Sequence, residues 1–238
     1  MPGTFKTEAI VLRSIRYGEA DRVLHLYTAD RGRVGAMAKG VRRVRSRMGG
    51  RLEPLMRARL VLHEGRGELC TISQVDTVHP YAALRERRES LERATQACEA
   101  VLRLLDSGEV NQPAYNLLSN ELALLDADPD AATRAQALAF RAKLLLAAGF
   151  APELASCASC GENEHLGAFS PSAGGVVCAG CEAGSFSLGP EAHRFLVEAL
   201  ARPLAEAPDA PEPALRQADR ALAETLEHHA HVRLRRVA

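Results

Sequence analysis

Residues 157–181 read CASCGENEHLGAFSPSAGGVVCAGC: Cys157 and Cys160 form one C-x-x-C pair, Cys178 and Cys181 a second, with seventeen residues between them. Each pair closes a tight knuckle with two thiolates, and a hairpin between the pairs brings the knuckles onto one tetrahedral zinc ion at roughly 2.3 Å per sulfur. No other feature restricts the fold so severely, because the whole segment has to wind about a single point. Gly161, just after the first knuckle, and Gly180, inside the second, stand where the chain turns sharply. Two disulfides or a thioredoxin-like redox pair are the competing chemistries. The opening residues MPGTFKTEAI lack a basic segment followed by an apolar one, which points to the reducing cytoplasm and away from bridges. No βαβ texture flanks either pair, which speaks against a redox motif. The expected cofactor is one Zn2+, and it is structural, since four thiolates leave no open position for a reactive water.

The rest of the chain offers no catalytic signature. H-E-x-x-H, a Walker A lysine loop, G-x-G-x-x-G after a strand and a G-x-S-x-G elbow are all missing from the sequence. His228, His229 and His231 in EHHAHVRLRR suit a solvated helix end better than a metal site. Cys70 and Cys98 lie in apolar runs and read as small buried hydrophobes. A chain without enzymatic activity is expected, and no stretch approaches the roughly 20 apolar residues that would span a bilayer.

Charge is where the chain departs from a bland composition. It has 30 Lys and Arg against 30 Asp and Glu, yet residues 1–80 carry fifteen cations and eight acids, so the remainder is acidic. Between Arg31 and Leu52 eight cations occur without one carboxylate, and AKGVRRVRSRMGGR (38–51) holds six of them: Lys39, Arg42, Arg43, Arg45, Arg47 and Arg51. Such a density repels itself unless an anion sits on it, which points to a polyanion site. The basic stretch has no aromatic residue and the chain no Trp, so it suits phosphates better than stacked bases. Tyr17 and Tyr27 are the candidates for stacking, with core packing as the competing role for at least one of them. Arginines so closely spaced track a backbone rather than base edges, which predicts little sequence preference.

The hydrophobic period changes along the chain. Up to about residue 80 it is β-like, with some five short strands punctuated by Gly and Asp. Met56, Ala58, Leu60 and Leu62 alternate with Arg57, Arg59 and Val61, which puts Arg57 and Arg59 on one strand face as further candidate phosphate contacts. TADRGR (28–33) is a hairpin turn with Gly32 left-handed. An oligonucleotide-binding (OB) barrel fits, and an SH3-like barrel would give nearly the same spacing. From about 84 the period is helical: Leu91, Ala94, Cys98, Val101, Leu102 and Leu105 mark one helix, and DPD (128–130) offers Asp128 as N-cap and Pro129 as first residue of another, stopped at Gly149. Helix returns at GPEAHRFLVEAL and again near Ala214. The expected class is α+β: an OB-fold β-barrel over 1–80, then an α-helical bundle over 81–238 carrying a four-cysteine zinc-finger insert at 154–184.

EAIVLRSIRYGEADRVLHLYTADRGRVGAMAKGVRRVRSRMGGRLEPL, together with GAFSPSAGGVVCAGC, resembles the bacterial RecO family of recombination mediators and DNA-annealing proteins. The resemblance covers the N-terminal barrel and the cysteine insert closely and the intervening helices only in length and texture. It implies an OB-fold followed by a helical domain, binding of single- and double-stranded DNA without nucleotide hydrolysis, and a place in DNA repair in the cytoplasm at the nucleoid. It further implies pairing with RecR, engagement of single-stranded-DNA-binding protein (SSB) and help in loading RecA. Lys39, Arg42, Arg43, Arg45, Arg47 and Arg51 become DNA contacts by that likeness. Some relatives lack the zinc cysteines, whereas all four are present here. Two other readings of the residues stay open: an RNA-binding or transcription-associated module, since charge does not separate RNA from DNA, and a scaffold whose basic face docks an acidic protein.

Overall fold

The computed structural model describes residues 3–65 and 67–237. Five strands, β1 (Thr4–Tyr17), β2 (Asp21–Thr28), β3 (Gly32–Ala38), β4 (Arg57–His63) and β5 (Cys70–His79), close a barrel in the order β1-β2-β3-β5-β4. This is the OB-like arrangement. One long strand makes it possible: β1 pairs with β4 through Thr4–Ile10 and with β2 through Ala9–Tyr17, bending at a register shift between Val11 and Arg13. The barrel closes where β3 and β5 run parallel at Ala36–Cys70 and Met37–Thr71. Inward residues are small or branched, including Ala9, Val11, Leu24, Leu26, Ala36, Ala38, Leu60 and Leu62, and they fill the interior. Gly32 has φ +62°, and a Cβ there would stand 2.0 Å from the Glu109 carbonyl oxygen, so both conformation and space demand glycine at the hairpin turn.

Helices α1 (Ala82–Arg85), α2 (Arg88–Leu104) and α3 (Gln112–Ala127) follow. By contact they belong with the barrel, in a compact unit that runs to Pro129. Tyr27 shows why. It lies on the outer side of β2, is fully buried, stacks at 6.2 Å on Tyr115 of α3 and donates to the Asn111 carbonyl at 3.2 Å. Burial pushes its phenol up to about 12, so it remains a donor at neutral pH. Asn111 caps α3 by accepting from the Ala114 N–H at 3.0 Å. Cys98 is buried on the apolar stripe of α2, and burial raises its thiol to about 12. Leu91, expected on that stripe, is 37% exposed near the helix start.

The second compact unit begins at Asp130. Helices α4 (Arg134–Ala147), α5 (Pro190–Ala201) and α6 (Glu212–His229) pack on one another, and between α4 and α5 lie β6 (Leu166–Ser170), β7 (Gly175–Cys178) and β8 (Phe186–Ser187), ordered β7-β6-β8. The start of α4 corrects the sequence expectation. Asp128 is the C-cap of α3, Pro129–Ala131 form a 3-10 turn, and the N-cap is Thr133, whose hydroxyl accepts from the Gln136 N–H at 3.0 Å. Asp-Pro makes a good helix start, but a capping hydroxyl with a free N–H three residues on competes for the same role and wins here.

Asp219 of α6 is buried and holds this unit together. It accepts from Arg141 at 2.9 Å, and Arg134 and Arg236 each come within 3.7 Å. Arg141 also donates to the Arg235 carbonyl at 2.7 Å, pinning the segment after α6, whose Val237 is buried. Asp219→Ala removes the carboxylate that neutralises the buried Arg141 guanidinium and should cost about 3–5 kcal/mol. Urea titration by circular dichroism measures it; a loss below about 1 kcal/mol would show the cluster to be dispensable. Among the described residues, no helix is long and apolar enough to cross a membrane.

Candidate nucleic-acid interface and metal centre

The six cations of the 38–51 stretch lie on the connection between β3 and β4. Both ends of this loop are anchored. Val41, Leu52 and Leu55 are buried, with Val41, Leu52 and Met48 packed against the barrel core. Gly40 N–H donates to the Asp21 carboxylate at 2.6 Å, and Arg42 N–H donates to the Ala20 carbonyl at 2.8 Å, so the loop starts against the β1–β2 turn. Between these anchors Lys39, Arg42, Arg43, Arg45, Arg47 and Arg51 are all exposed, and Val44 among them is fully so. Arg42 reaches the Gly18 carbonyl and Arg51 the Val75 carbonyl. Among the described residues none of the six pairs with a carboxylate. A rigidly rooted loop whose cations meet no acid offers several phosphate contacts at once and leaves its charge to be neutralised by a ligand.

Arg57 and Arg59 part company. Both point outward from β4, but Glu8 on β1 faces Arg59 in register and reaches diagonally to Arg57. Arg57 Nε donates to Glu8 Oε1 at 2.6 Å and its Nη1 to Ser119 Oγ at 2.9 Å, while the Tyr115 hydroxyl donates to the same carboxylate at 3.2 Å. Arg57 thus ties β4 to β1 and α3. Arg59 is 66% exposed and only loosely held by Glu8, at 3.7 Å. Spacing along β4 could not separate the two, because the carboxylate that distinguishes them lies some fifty residues earlier.

The cysteines converge as their spacing requires. The four sulfurs of Cys157, Cys160, Cys178 and Cys181 lie within 4.8 Å of one another, with Cys160 and Cys178 3.7 Å apart. The first knuckle is closed by Gly161 N–H donating to the Cys157 carbonyl at 2.8 Å, with Gly161 at φ +81°. The second is a 3-10 turn, Ala179–Cys181; Gly180 needs no left-handed conformation, and it is Gly184, at φ +78°, that turns the chain back. Cys178 N–H donates to Cys157 Sγ at 3.4 Å and draws that thiol down to about 6. Hydrogen bonds with Cys160 and Cys178 push Cys181 up to about 12. Thiols this close resist ionising together without a cation among them, and a tetrahedral set of four sulfurs fits zinc. His228, His229 and His231 form no such cluster; His229 instead hydrogen-bonds the Pro171 carbonyl at 2.7 Å.

The family model described as Recombination protein O N terminal matches residues 1–81, and that described as Recombination protein O C terminal matches residues 85–237. The chain belongs to the RecO family. Its relatives include the DNA repair protein RecO of Rubrobacter xylanophilus, 40% identical over 85% of this chain and 83% of the relative. That of Anaeromyxobacter sp. strain K is 38% identical over 96% and 92%. A third, from Nocardioides sp., is 40% identical over 83% and 82%. Family membership gives the chain a role in DNA repair, and its RecO-type architecture combines an OB-like barrel, a helical region and a four-cysteine cluster able to hold a metal ion.

Proposed function

We propose that this RecO-family chain is a non-enzymatic mediator that holds single- and double-stranded DNA by their phosphates on the 38–51 loop and promotes annealing of complementary strands. The observation that carries the reading is the rooted loop itself, with six exposed cations and, among the described residues, no carboxylate on any of them. Arg59 extends the site along β4, and Arg57 serves the barrel wall. Annealing needs backbone charge neutralised while base edges remain free, which such a loop supplies without nucleotide hydrolysis. Cys157, Cys160, Cys178 and Cys181 hold one structural Zn2+, which fixes the insert and supplies no reactive water. RecR and SSB are the protein partners that the family likeness indicates, with RecA loading at gaps and a cytoplasmic location at the nucleoid as the consequences.

Annealing of complementary oligonucleotides by the purified protein without ATP tests the reading, and failure to anneal would remove it. Binding should be nearly indifferent to sequence and steeply dependent on salt. Neutralising about six phosphates predicts a roughly thousandfold loss of duplex affinity between 50 and 200 mM salt, and a few hundredfold for single strands. Fluorescence anisotropy across that range checks it; a flat dependence would favour docking of an acidic protein instead.

A further inference from the structure

The loop's phosphates need a partner surface for the bases, and the barrel provides one next to it. On β2 the inward residues are Leu24 and Leu26, so Val23 and His25 face out; on β3 Ala36 and Ala38 face in, so Gly35 and Met37 face out. After the bend in β1, Ile15 pairs with Val23 and Arg13 with His25, so Arg13, Ile15 and Tyr17 share that outer face. Tyr17 is 58% exposed and Ile15 40%, two of the few large apolar side chains left in solvent. The contrast with buried Tyr27, ten residues on, is complete.

Tyr17 immediately precedes the β1–β2 turn, Gly18 to Ala20, on which Arg42 rests through its side chain and its N–H. The nearby Asp21 carboxylate accepts from Gly40 N–H, so it is bonded to the loop. At the other end the face runs into a cleft of about 900 Å³ lined by His25, Arg31, Arg33 and Leu69 and also by Glu64 and Glu68, with the Arg31 guanidinium 3.8 Å over the Phe5 ring and paired with Glu64 at 3.2 Å. Burial and the charges of Arg13 and Arg33 lower the His25 pKa, so its imidazole is neutral at physiological pH and offers a flat, uncharged surface.

We propose that the outer face of β1, β2 and β3 is a single-strand track on which Tyr17 stacks a base while the adjacent loop holds the phosphates. The occupant is single-stranded nucleic acid rather than an apolar protein surface, because the apolar strip is narrow and its Tyr17 end abuts the loop whose six cations pair with no carboxylate among the described residues, whereas at the far end Glu64 already pairs with Arg31. Stacking uses the face of a base and leaves its pairing edge exposed, which is what an annealing protein requires. Duplex bases are stacked on each other and gain nothing from the ring, so the track favours single strands. This inference rests on the loop being the phosphate site, and its test separates the two.

Tyr17→Ala, Tyr17→Phe and wild type are compared for binding to a poly-dT oligonucleotide and to a duplex at several salt concentrations, with thermal melting and zinc content as fold controls. Tyr17→Ala should bind the single strand roughly five- to a hundredfold more weakly. Its duplex affinity should stay within about twofold and its salt slope unchanged, and Tyr17→Phe should behave as wild type. A 2-aminopurine in the oligonucleotide should be quenched by wild type and not by Tyr17→Ala. Wild-type single-strand affinity in Tyr17→Ala, equal losses for both DNA forms, or a defect confined to RecR or SSB binding would overturn the track. Failure of the phosphate reading looks different: a loop-reversed variant would bind both DNA forms normally whatever stands at residue 17.

Discussion

Reversing Arg42, Arg43, Arg45 and Arg47 to glutamate should abolish DNA binding and strand annealing together, with fold and metal content intact. The four side chains are exposed and bond no carboxylate among the described residues, so no ion pair seen there is broken; the buried anchors Val41 and Leu52 are untouched. The change replaces four attractive phosphate contacts with four repulsive ones. Removing the contacts alone lowers the salt slope by roughly one unit each, and repulsion adds to that, so an effect beyond about a thousandfold is expected near physiological salt. Single and double Arg→Ala variants should form a graded series in slope, whereas Arg57→Ala should lower stability with little change in slope, since Arg57 is committed to Glu8 and Ser119. Anisotropy titrations over salt, with urea unfolding of each variant, read both quantities. A reversed variant that anneals normally would move the nucleic-acid site elsewhere on the molecule.

Stripping the metal should unfold the cysteine insert while the barrel and α4–α6 stay folded. Around the cysteines the buried set is small: Ala168 and Val177 cluster with Cys157 and Cys178, Phe169 and Val176 are the other large buried side chains of β6 and β7, and two short strands flank β6. Structural zinc contributes on the order of 10–16 kcal/mol to small sites of this kind, far more than so small a core supplies. Elemental analysis should find one zinc per chain. A strong chelator, or Cys160→Ser, should then erase hydrogen-exchange protection from residue 157 to the start of α5, while protection in β1–β5 and binding to DNA persist. Two disulfides in the native protein without metal, or an insert still protected after chelation, would contradict the assignment.

Local period and spacing carried much of this. Alternation in β4 is a property of the strand itself, and inward Ala58, Leu60 and Leu62 appear where the pattern puts them. The cysteine knuckles are likewise local, each a four-residue turn, and the hairpin between them is short enough for spacing to imply convergence. The excess of cations between Arg31 and Leu52 follows from composition alone, since the stretch itself contains no acid. Short-range interactions such as these depend on bond geometry and on residues a few positions apart, so they can be read from order along the chain.

What register and packing decide cannot be read that way. Arg57 and Arg59 occupy equivalent positions on one strand, and only the approach of Glu8 and Ser119 in the folded barrel makes the first a structural ion pair and leaves the second mostly exposed. Tyr17 and Tyr27 are both tyrosines beside the same hairpin. The packing of α3 against β2 buries one beneath Tyr115, and the end of β1 leaves the other beside the basic loop. Thr133 displaced Asp128 as a cap because α3 still needed Asp128 at its own C-terminus, a competition settled by where the two helices end. In each case the deciding partner lies far along the chain or in the next element, and it is the three-dimensional fold that brings it within a few ångströms.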